Sequence, residues 1–495
     1  MGRGIAQIAA QAGSQVLLYD AQPEAAAKAR AAISEQWDKL VAKGRVSADA
    51  AATCKARLKP VAALADLRDC PLVVEAVVER LDVKQKVFGE LESIVAPEAI
   101  LATNTSSLSV TAIGAALKTP ARLAGYHFFN PVPLMKVVEV VAGLKTSVSV
   151  CQALTDYAHQ MGHMPVQAGD TPGFIVNHAG RGYNTEALRV AGESVADFAT
   201  IDRILKDQAG FRLGPFELLD LTALDVSHPV MESIFRQYYD EPRYRPSVIT
   251  AQRLAGGVLG CKSGEGFYKY ENGVAQVPPE PPAPQVAHLP PVWVSAKAAR
   301  RPALLQLLAS LGASVETGAA PSGQALIMVA PLGLDVTTVA VLEQLDATRT
   351  VGIDLLLDDA AVKRRVLAVN PATRADMRDA AWALFARAGT PVSKPVSVIR
   401  DSGGFVTQRV LAAIVNIAAD MCQQGVCSPH DLDTAVTLGL NYPLGPLAWG
   451  DKLGPANVLE VLMNLQLVYG DMRYRPSPWL RRRAALGLSL LQTEQ

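Results

Sequence analysis

Three pairs of short motifs recur along the chain at an almost constant offset. "DTPGFIV" at residue 170 is echoed by "DSGGFVT" at 401, "GPFELLD" at 214 by "GPLAWGD" at 445, and "RYRPS" at 243 by "RYRPS" at 473. The displacement is 230 or 231 residues each time, which marks a duplication and restricts the chain to two related halves.

Each copy of the repeated stretch follows a segment in which strands and helices alternate. In the first half "PLVVEAVV" (71–78), "AILATN", "RLAGYHFF" and "MPVQAGD" read as strands, and "RLDVKQKVFGELESIV" as a helix between two of them. That alternation predicts an α/β fold, a doubly wound, Rossmann-type parallel sheet over residues 1–166. A mainly helical domain follows over 167–272, with Asp170 or Thr171 as its helix cap and Pro172 in the first turn. Residues 273–291 hold seven prolines and read as an extended linker. A second α/β segment is expected over 292–396 and the second helical copy over 397–495. The middle segment keeps a strand, helix and strand in "VWVSAKAARRPALLQLLASLGASVETG" but has no glycine at the turn, so no nucleotide site is expected there.

The chain opens on "MGRGIAQIAAQAGSQVLLYD". Ile5, Ile8, Ala9 and Ala12 fall at helical spacing, Gly13 supplies a stop, and "QVLLY" is a short strand ending in Asp20. An acid at that place suits both hydroxyls of an adenosine ribose and favours NAD. If Gly2 is the third glycine of G-x-G-x-x-G, the first two and the strand before them lie upstream. The expectation is therefore a misassigned internal methionine or a truncated chain.

Charge and cysteine content narrow the partners. The 47 basic and 47 acidic residues cancel, so no global field selects nucleic acid or an anionic membrane. Arg481–Arg483 reads as a solvated helix face. Six scattered cysteines form no C-x-x-C pair, which suits reduced thiols in a cytoplasm and points to no metal site. No signal peptide and no run of 18 apolar residues is found, so neither export nor a membrane is expected.

Chemistry concentrates in "YHFFNPVPLMKVVEVV" (126–141). His127 ends one strand, Pro131 and Pro133 turn the chain, and Glu139 lies inside the apolar run "VVEVV". A carboxylate buried there is costly without a partner, and the returning chain makes His127 a candidate for it. Such a pair is a general base with its orienting acid. The alternative is a structural histidine beside an edge-strand glutamate whose head reaches water. "NTSSLS" (104–109) follows a strand end, where open α/β sheets bind ligands. One of its serines could donate to a substrate oxygen, and one could cap a helix. Asn177, among Phe174, Ile175 and Val176, needs a partner for its amide, either a substrate in an interdomain cleft or a structural hydrogen bond. Residues 24–45 form a long helix with basic residues at 28, 30, 39, 43 and 45, a solvated face or an anion site.

"NTSSLS", "HFFNPVPLMKVVEVV", "DTPGFIVN", "GPFELLD" and "KSGEGFYKY" together resemble the NAD-dependent L-3-hydroxyacyl-CoA dehydrogenases, almost continuously over residues 1–270. The second helical copy after a degenerate α/β segment resembles the long bacterial members associated with phenylacetate degradation, which act on 3-hydroxyadipyl-CoA. The resemblance implies oxidation of a (3S)-3-hydroxyacyl-CoA to the 3-ketoacyl-CoA, with NAD as cofactor and an acyl-CoA thioester as substrate. It makes His127 the base and Glu139 its partner. Ser106 and Asn177 would bind the substrate, and Lys43 the CoA moiety. Gly2, Asp20, Glu79, Lys84 and Ser106 would form the cofactor site. Arg181 is one candidate for a terminal carboxylate on the acyl chain.

Two departures qualify this resemblance. Gln408 replaces Asn177 in the second copy, and no second His/Glu hairpin precedes it, so one active site per chain is expected. Family members with one helical domain commonly dimerise through it. The second copy is thus expected either to pack on the first as an internal pseudo-dimer or to leave a homo-oligomer. The competing functions are a 3-hydroxybutyryl-CoA dehydrogenase and a non-catalytic NAD-binding protein.

Overall fold

The computed structural model describes residues 1–387 and 389–494. The chain divides into two compact units, Met1–His178 with Gln424–Leu440, and Ala179–Gln423 with the residues from Asn441 onward.

The first unit begins with helix α1 (Gly2–Gln11), which buries Ile5, Ile8 and Ala9 and ends before Gly13 at φ 107°. Strand β1 (Val16–Leu18) follows, then α2 (Ala25–Ala42), α3 (Ala48–Ala56) and β2 (Leu58–Pro60). β1 and β2 pair in parallel as a sheet of their own. α2 folds over them with Trp37 and Ile33 buried against Leu58. Full burial of such side chains contributes about 1.5–3 kcal/mol each.

A five-stranded sheet follows, in the order β3 (Leu72–Glu75), β4 (Ile100–Thr103), β5 (Leu123–Phe128), β6 (Val137–Ala142) and β7 (Met164–Gly169). It is parallel except for β5 against β6, the hairpin-like return that the prolines impose. Helices α4 (Leu81–Ile94), α5 (Val110–Gly114) and α6 (Val148–Gln160) accompany it, α5 packing on β5 and α6 on β5, β6 and β7. β3 stops at Glu75, short of the expected 71–78, because the Glu75 carboxylate accepts the Val77 N–H at 2.6 Å and turns the chain. Asp170 caps α5 and not the following helix. Its carboxylate accepts from the Ser109 hydroxyl (2.7 Å) and from the amides of Val110 (2.9 Å) and Thr111 (2.7 Å).

Helix Pro429–Leu440 also belongs to this unit, although its sequence lies in the second helical copy. It packs on β6 and β7, and the chain before it is tied to β7 by Gly169 N–H donating to Val426 O at 2.8 Å.

The second unit repeats the sheet in simpler form: β10 (Val292–Val294), β11 (Leu326–Val329), β12 (Thr350–Ile353), β13 (Arg365–Val369) and β14 (Val396–Arg400) lie in that order, with only β12 and β13 antiparallel. The strand expected after the first helix of this segment is reduced to a single bridge at Val315. Helix Phe198–Ala209, from the first helical copy, reaches this sheet. Asp207 accepts from Arg364 Nε at 2.9 Å, and Arg400 N–H donates to Val195 O at 3.0 Å. Before it, the hairpin β8 (Lys269–Glu271) and β9 (Val274–Gln276) turns through Asn272–Gly273, both at positive φ. The proline-rich segment is anchored by Glu280, which takes both Nη atoms of Arg364 at 2.7 Å.

The two helical copies meet along helices Arg181–Gly192 and Val406–Gln423. Gly182 permits the crossing, since a Cβ there would stand 3.1 Å from Ile414 Cα. Beside it the fully buried Arg409 donates to Glu186 (2.8 Å), Glu193 (2.6 Å) and Tyr474 (3.0 Å). The repeated "GP…D" motif ends in an anchoring acid in both copies. Asp220 accepts the amides of Phe267 and Tyr268, and Asp451 that of Leu490. Among the described residues no helix is long and apolar enough to cross a membrane.

Candidate active site

β5 and β6 place His127 opposite Glu139 in register, and the ring Nδ1 lies 2.5 Å from Glu139 Oε2. Glu139 is wholly buried. Its other oxygen accepts the amides of Ile175 (2.9 Å) and Val176 (2.8 Å). The carboxylate is therefore satisfied on both oxygens, which is what makes a charge tolerable at this depth. A carboxylate only accepts, so in the neutral imidazole Nδ1 carries the proton and Nε2 presents a lone pair. Phe129 and Phe174 flank the imidazole, at 4.5 and 5.8 Å between ring centroids. Phe174 and Gly173 both take positive φ, in the tight turn that aims the Ile175 and Val176 amides at Glu139.

The loop after β4 is built around Glu79. One carboxylate oxygen accepts from the Thr105 hydroxyl (2.6 Å) and from the amides of Ser106 (2.8 Å) and Ser107 (3.0 Å). Lys84 lies buried between Glu75 at 2.7 Å and Glu79 at 3.3 Å, and Thr103 donates to the second Glu75 oxygen. Burial pushes the Glu79 carboxyl up, but the Thr105 hydroxyl, Lys84 and the Ser106 amide outweigh it and hold it below the usual range. Lys84 is thus a strut under the 104–107 loop, with its charge turned inward. Asn177 Nδ2 lies 3.4 Å from the Ser106 carbonyl, so Ser106 and Asn177 meet at the same loop. The helix cap anticipated among the serines is Ser109, which accepts the Ala112 amide at 3.1 Å, while Ser106 is half-buried with its hydroxyl 3.4 Å from Glu79 Oε1.

Asn104 is a supporting residue that sequence reasoning did not single out. Its side-chain oxygen accepts the Phe128 amide at 2.9 Å and pins the end of β5 beside His127. The only signal was its place first in "NTSS", at a strand's carboxyl end. Gly4 is another, because a Cβ there would come within 2.7 Å of Val132 Cβ. Lys43 is exposed at the C-terminus of α2. Arg181 is buried in its helix, where desolvation holds the guanidinium down at about 10, so it presents no open cation to a carboxylate. Among the described residues no cluster of His, Cys, Asp or Glu could hold a metal ion.

The residues fit a dinucleotide's adenosine and pyrophosphate. α1 carries no acid in its first turn, so the positive end of its dipole suits an anion. Asp20 is exposed beyond β1, and its Oδ1 accepts the Gln22 amide at 2.9 Å.

Comparison with known proteins gives the family. Residues 1–171 match the 3-hydroxyacyl-CoA dehydrogenase NAD-binding domain, and residues 173–270 and 404–494 both match the C-terminal domain of that family. A 3-hydroxyadipyl-CoA dehydrogenase of Escherichia coli K12 is 38% identical over 489 residues, spanning 98% of this chain and 96% of that protein. A probable 3-hydroxybutyryl-CoA dehydrogenase of Deinococcus radiodurans is 41% identical over 270 residues, spanning 54% of this chain and 96% of its own. The crystal structure of a 3-hydroxybutyryl-CoA dehydrogenase from Escherichia coli K12 superposes with a TM-score of 0.83 at 37% identity, covering 98% of this chain and 96% of that one. By sequence, by fold and by the doubled C-terminal domain, the chain belongs to the NAD-dependent 3-hydroxyacyl-CoA dehydrogenase family.

Proposed function

We propose that this enzyme oxidises a (3S)-3-hydroxyacyl-CoA to the 3-ketoacyl-CoA with NAD, that His127 is its base, and that 3-hydroxyadipyl-CoA is its preferred substrate. The observation that carries the reading is the His127–Glu139 pair at 2.5 Å with both Glu139 oxygens satisfied. His127 Nε2 takes the proton of the 3-hydroxyl, the electron pair of the broken O–H bond forms the C3–O π bond, and the C3–H pair leaves C3 as hydride. NAD, when bound, accepts the hydride leaving C3. Glu139 stabilises the imidazolium that results and fixes its tautomer. Ser106 and Asn177 hold the hydroxyl and thioester end, while Lys43 serves the CoA moiety. In the reverse direction the imidazolium returns the proton to the alkoxide.

Similarity across nearly the whole length to a 3-hydroxyadipyl-CoA dehydrogenase supports the adipyl chain. A second reading, 3-hydroxybutyryl-CoA, is favoured by the name of the solved structure of similar coverage. Steady-state rates on the two thioesters decide: a kcat/KM at least about tenfold higher for the adipyl substrate supports the first, and the reverse order supports the second. The intact pair favours an enzyme over a non-catalytic NAD-binding chain. The packing of helix Arg181–Gly192 on Val406–Gln423 supports an internal counterpart of a family dimer, which sedimentation of the full chain as a monomer would test. Six scattered cysteines with no C-x-x-C pair accord with a cytoplasmic place.

A further inference from the structure

The helix that the second half lends to the first unit ends against the dyad's support. A Cβ built on Gly439, near the end of helix Pro429–Leu440, would stand 3.0 Å from Val176 Cγ2, 3.2 Å from Val176 Cγ1 and 3.6 Å from Val137 Cγ1. Val176 donates its amide to Glu139 at 2.8 Å, and Val137 is two residues from Glu139 on the same strand. Gly439 therefore closes a chain of contacts that runs through Val176 to Glu139 and on to His127. The segment is held in place by the Gly169 amide on Val426 O.

The duplicated half shows what this seat becomes where no dyad is present. Positions 231 residues away from Val176 and Gly439 are Thr407 and Gln208, and these meet by a 2.5 Å hydrogen bond from the Thr407 hydroxyl to Gln208 Oε1. The Arg400 amide on Val195 O repeats the Gly169–Val426 link at the same offset. In that half, Asp354 stands two residues after Gly352, as His127 stands two after Gly125 in the matching strand. The half that keeps the histidine thus has a seat with no side chain, closed against valine. The half without it has a polar one. A seat within about 3 Å of the residue whose amide holds Glu139 transmits any added bulk directly, because close-packed interiors shift rather than compress.

We propose that Gly439 is a positioning residue for the His127–Glu139 pair, acting through Val176, so that the second half of the chain completes the catalytic geometry of the first. The proposal rests on His127 being the base. The test uses the full chain, with acetoacetyl-CoA reduction by NADH as the assay and Gly439→Val, Val176→Ala and their combination as variants. Gly439→Val is expected to lower kcat by about 10- to 100-fold, with KM and NADH affinity within about threefold of wild type, because misplacement by an ångström or less costs that much. Combined with Val176→Ala, which removes the opposing methyls, it is expected to return to within about fivefold of Val176→Ala alone. Thr407→Val, at the mirror seat, is expected to leave kcat within about twofold. If Gly439→Val does not fold, Gly439→Ala decides, with an expected loss of about 3- to 10-fold and the same rescue. A folded Gly439 variant with wild-type kcat, or a double variant no faster than the single one, overturns the proposal. Retained turnover in His127→Gln would instead overturn the dyad on which it rests.

Discussion

Gln408 Nε2 donates to Asp354 Oδ1 at 3.0 Å in the second half, where Gln408 lies 231 residues after Asn177 and Asp354 matches His127 in strand register, two residues after the paired glycine. The same carboxamide donates to Pro331 O and accepts the Gly333 amide. A side chain engaged at three points holds its loop closed, so this half keeps the scaffold of the site while its polar groups satisfy one another.

Asp354 gives the second half a distinct pH response. Burial pushes its carboxyl from 3.8 up to about 6, against the lowering effect of Gln408 and the Leu356 amide. The folded state therefore binds this proton more tightly than the unfolded one. The stabilisation is complete below pH 4 and is lost as the pH rises towards about 6, a change on the order of 3 kcal/mol. Asp354→Asn is expected to flatten the pH dependence of Tm in that window and to raise Tm at pH 8 by several degrees. Parallel profiles for variant and wild type would refute this.

Glu139→Gln tests the tautomer. A carboxamide that keeps its oxygen on the Ile175 and Val176 amides turns its NH2 towards His127 Nδ1, which forces the proton onto Nε2 and removes the base. The expected loss in kcat is about 10³- to 10⁴-fold, with NADH affinity unchanged by fluorescence titration. A loss below tenfold would mean that Glu139 only fills space.

Lys84→Met would leave Glu75 and Glu79 facing each other without their cation. Removing one member of a buried ion pair costs about 3–5 kcal/mol, so the first transition in urea should fall by that amount. KM should rise as well, because the 104–107 loop loses its strut. An unchanged midpoint would show that the ammonium is dispensable.

The sequence revealed the duplication, the strand–helix alternation and the His127–Glu139 pairing, since each is carried by local spacing. The exchange of helices was not legible there. Periodicity marks Pro429–Leu440 as a helix but says nothing of which sheet its apolar face meets. The resemblance assigns Glu79 and Lys84 to the cofactor site, but only the fold buries the Lys84 ammonium between Glu75 and Glu79. Asp170 reads naturally as the cap of the helix after it, and three-dimensional contact gives it to α5, about 60 residues earlier. Gly439 has no sequence signature, because its role is the absence of atoms where two valines close in.

The assignment of His127, held by Glu139, as the base of a 3-hydroxyacyl-CoA dehydrogenase is decided by single-turnover oxidation of 3-hydroxyadipyl-CoA by His127→Gln, with NADH binding measured on the same preparation. A fall in the hydride-transfer rate of about 10²- to 10⁴-fold with unchanged NADH affinity is the predicted result. Turnover within tenfold of wild type would contradict it.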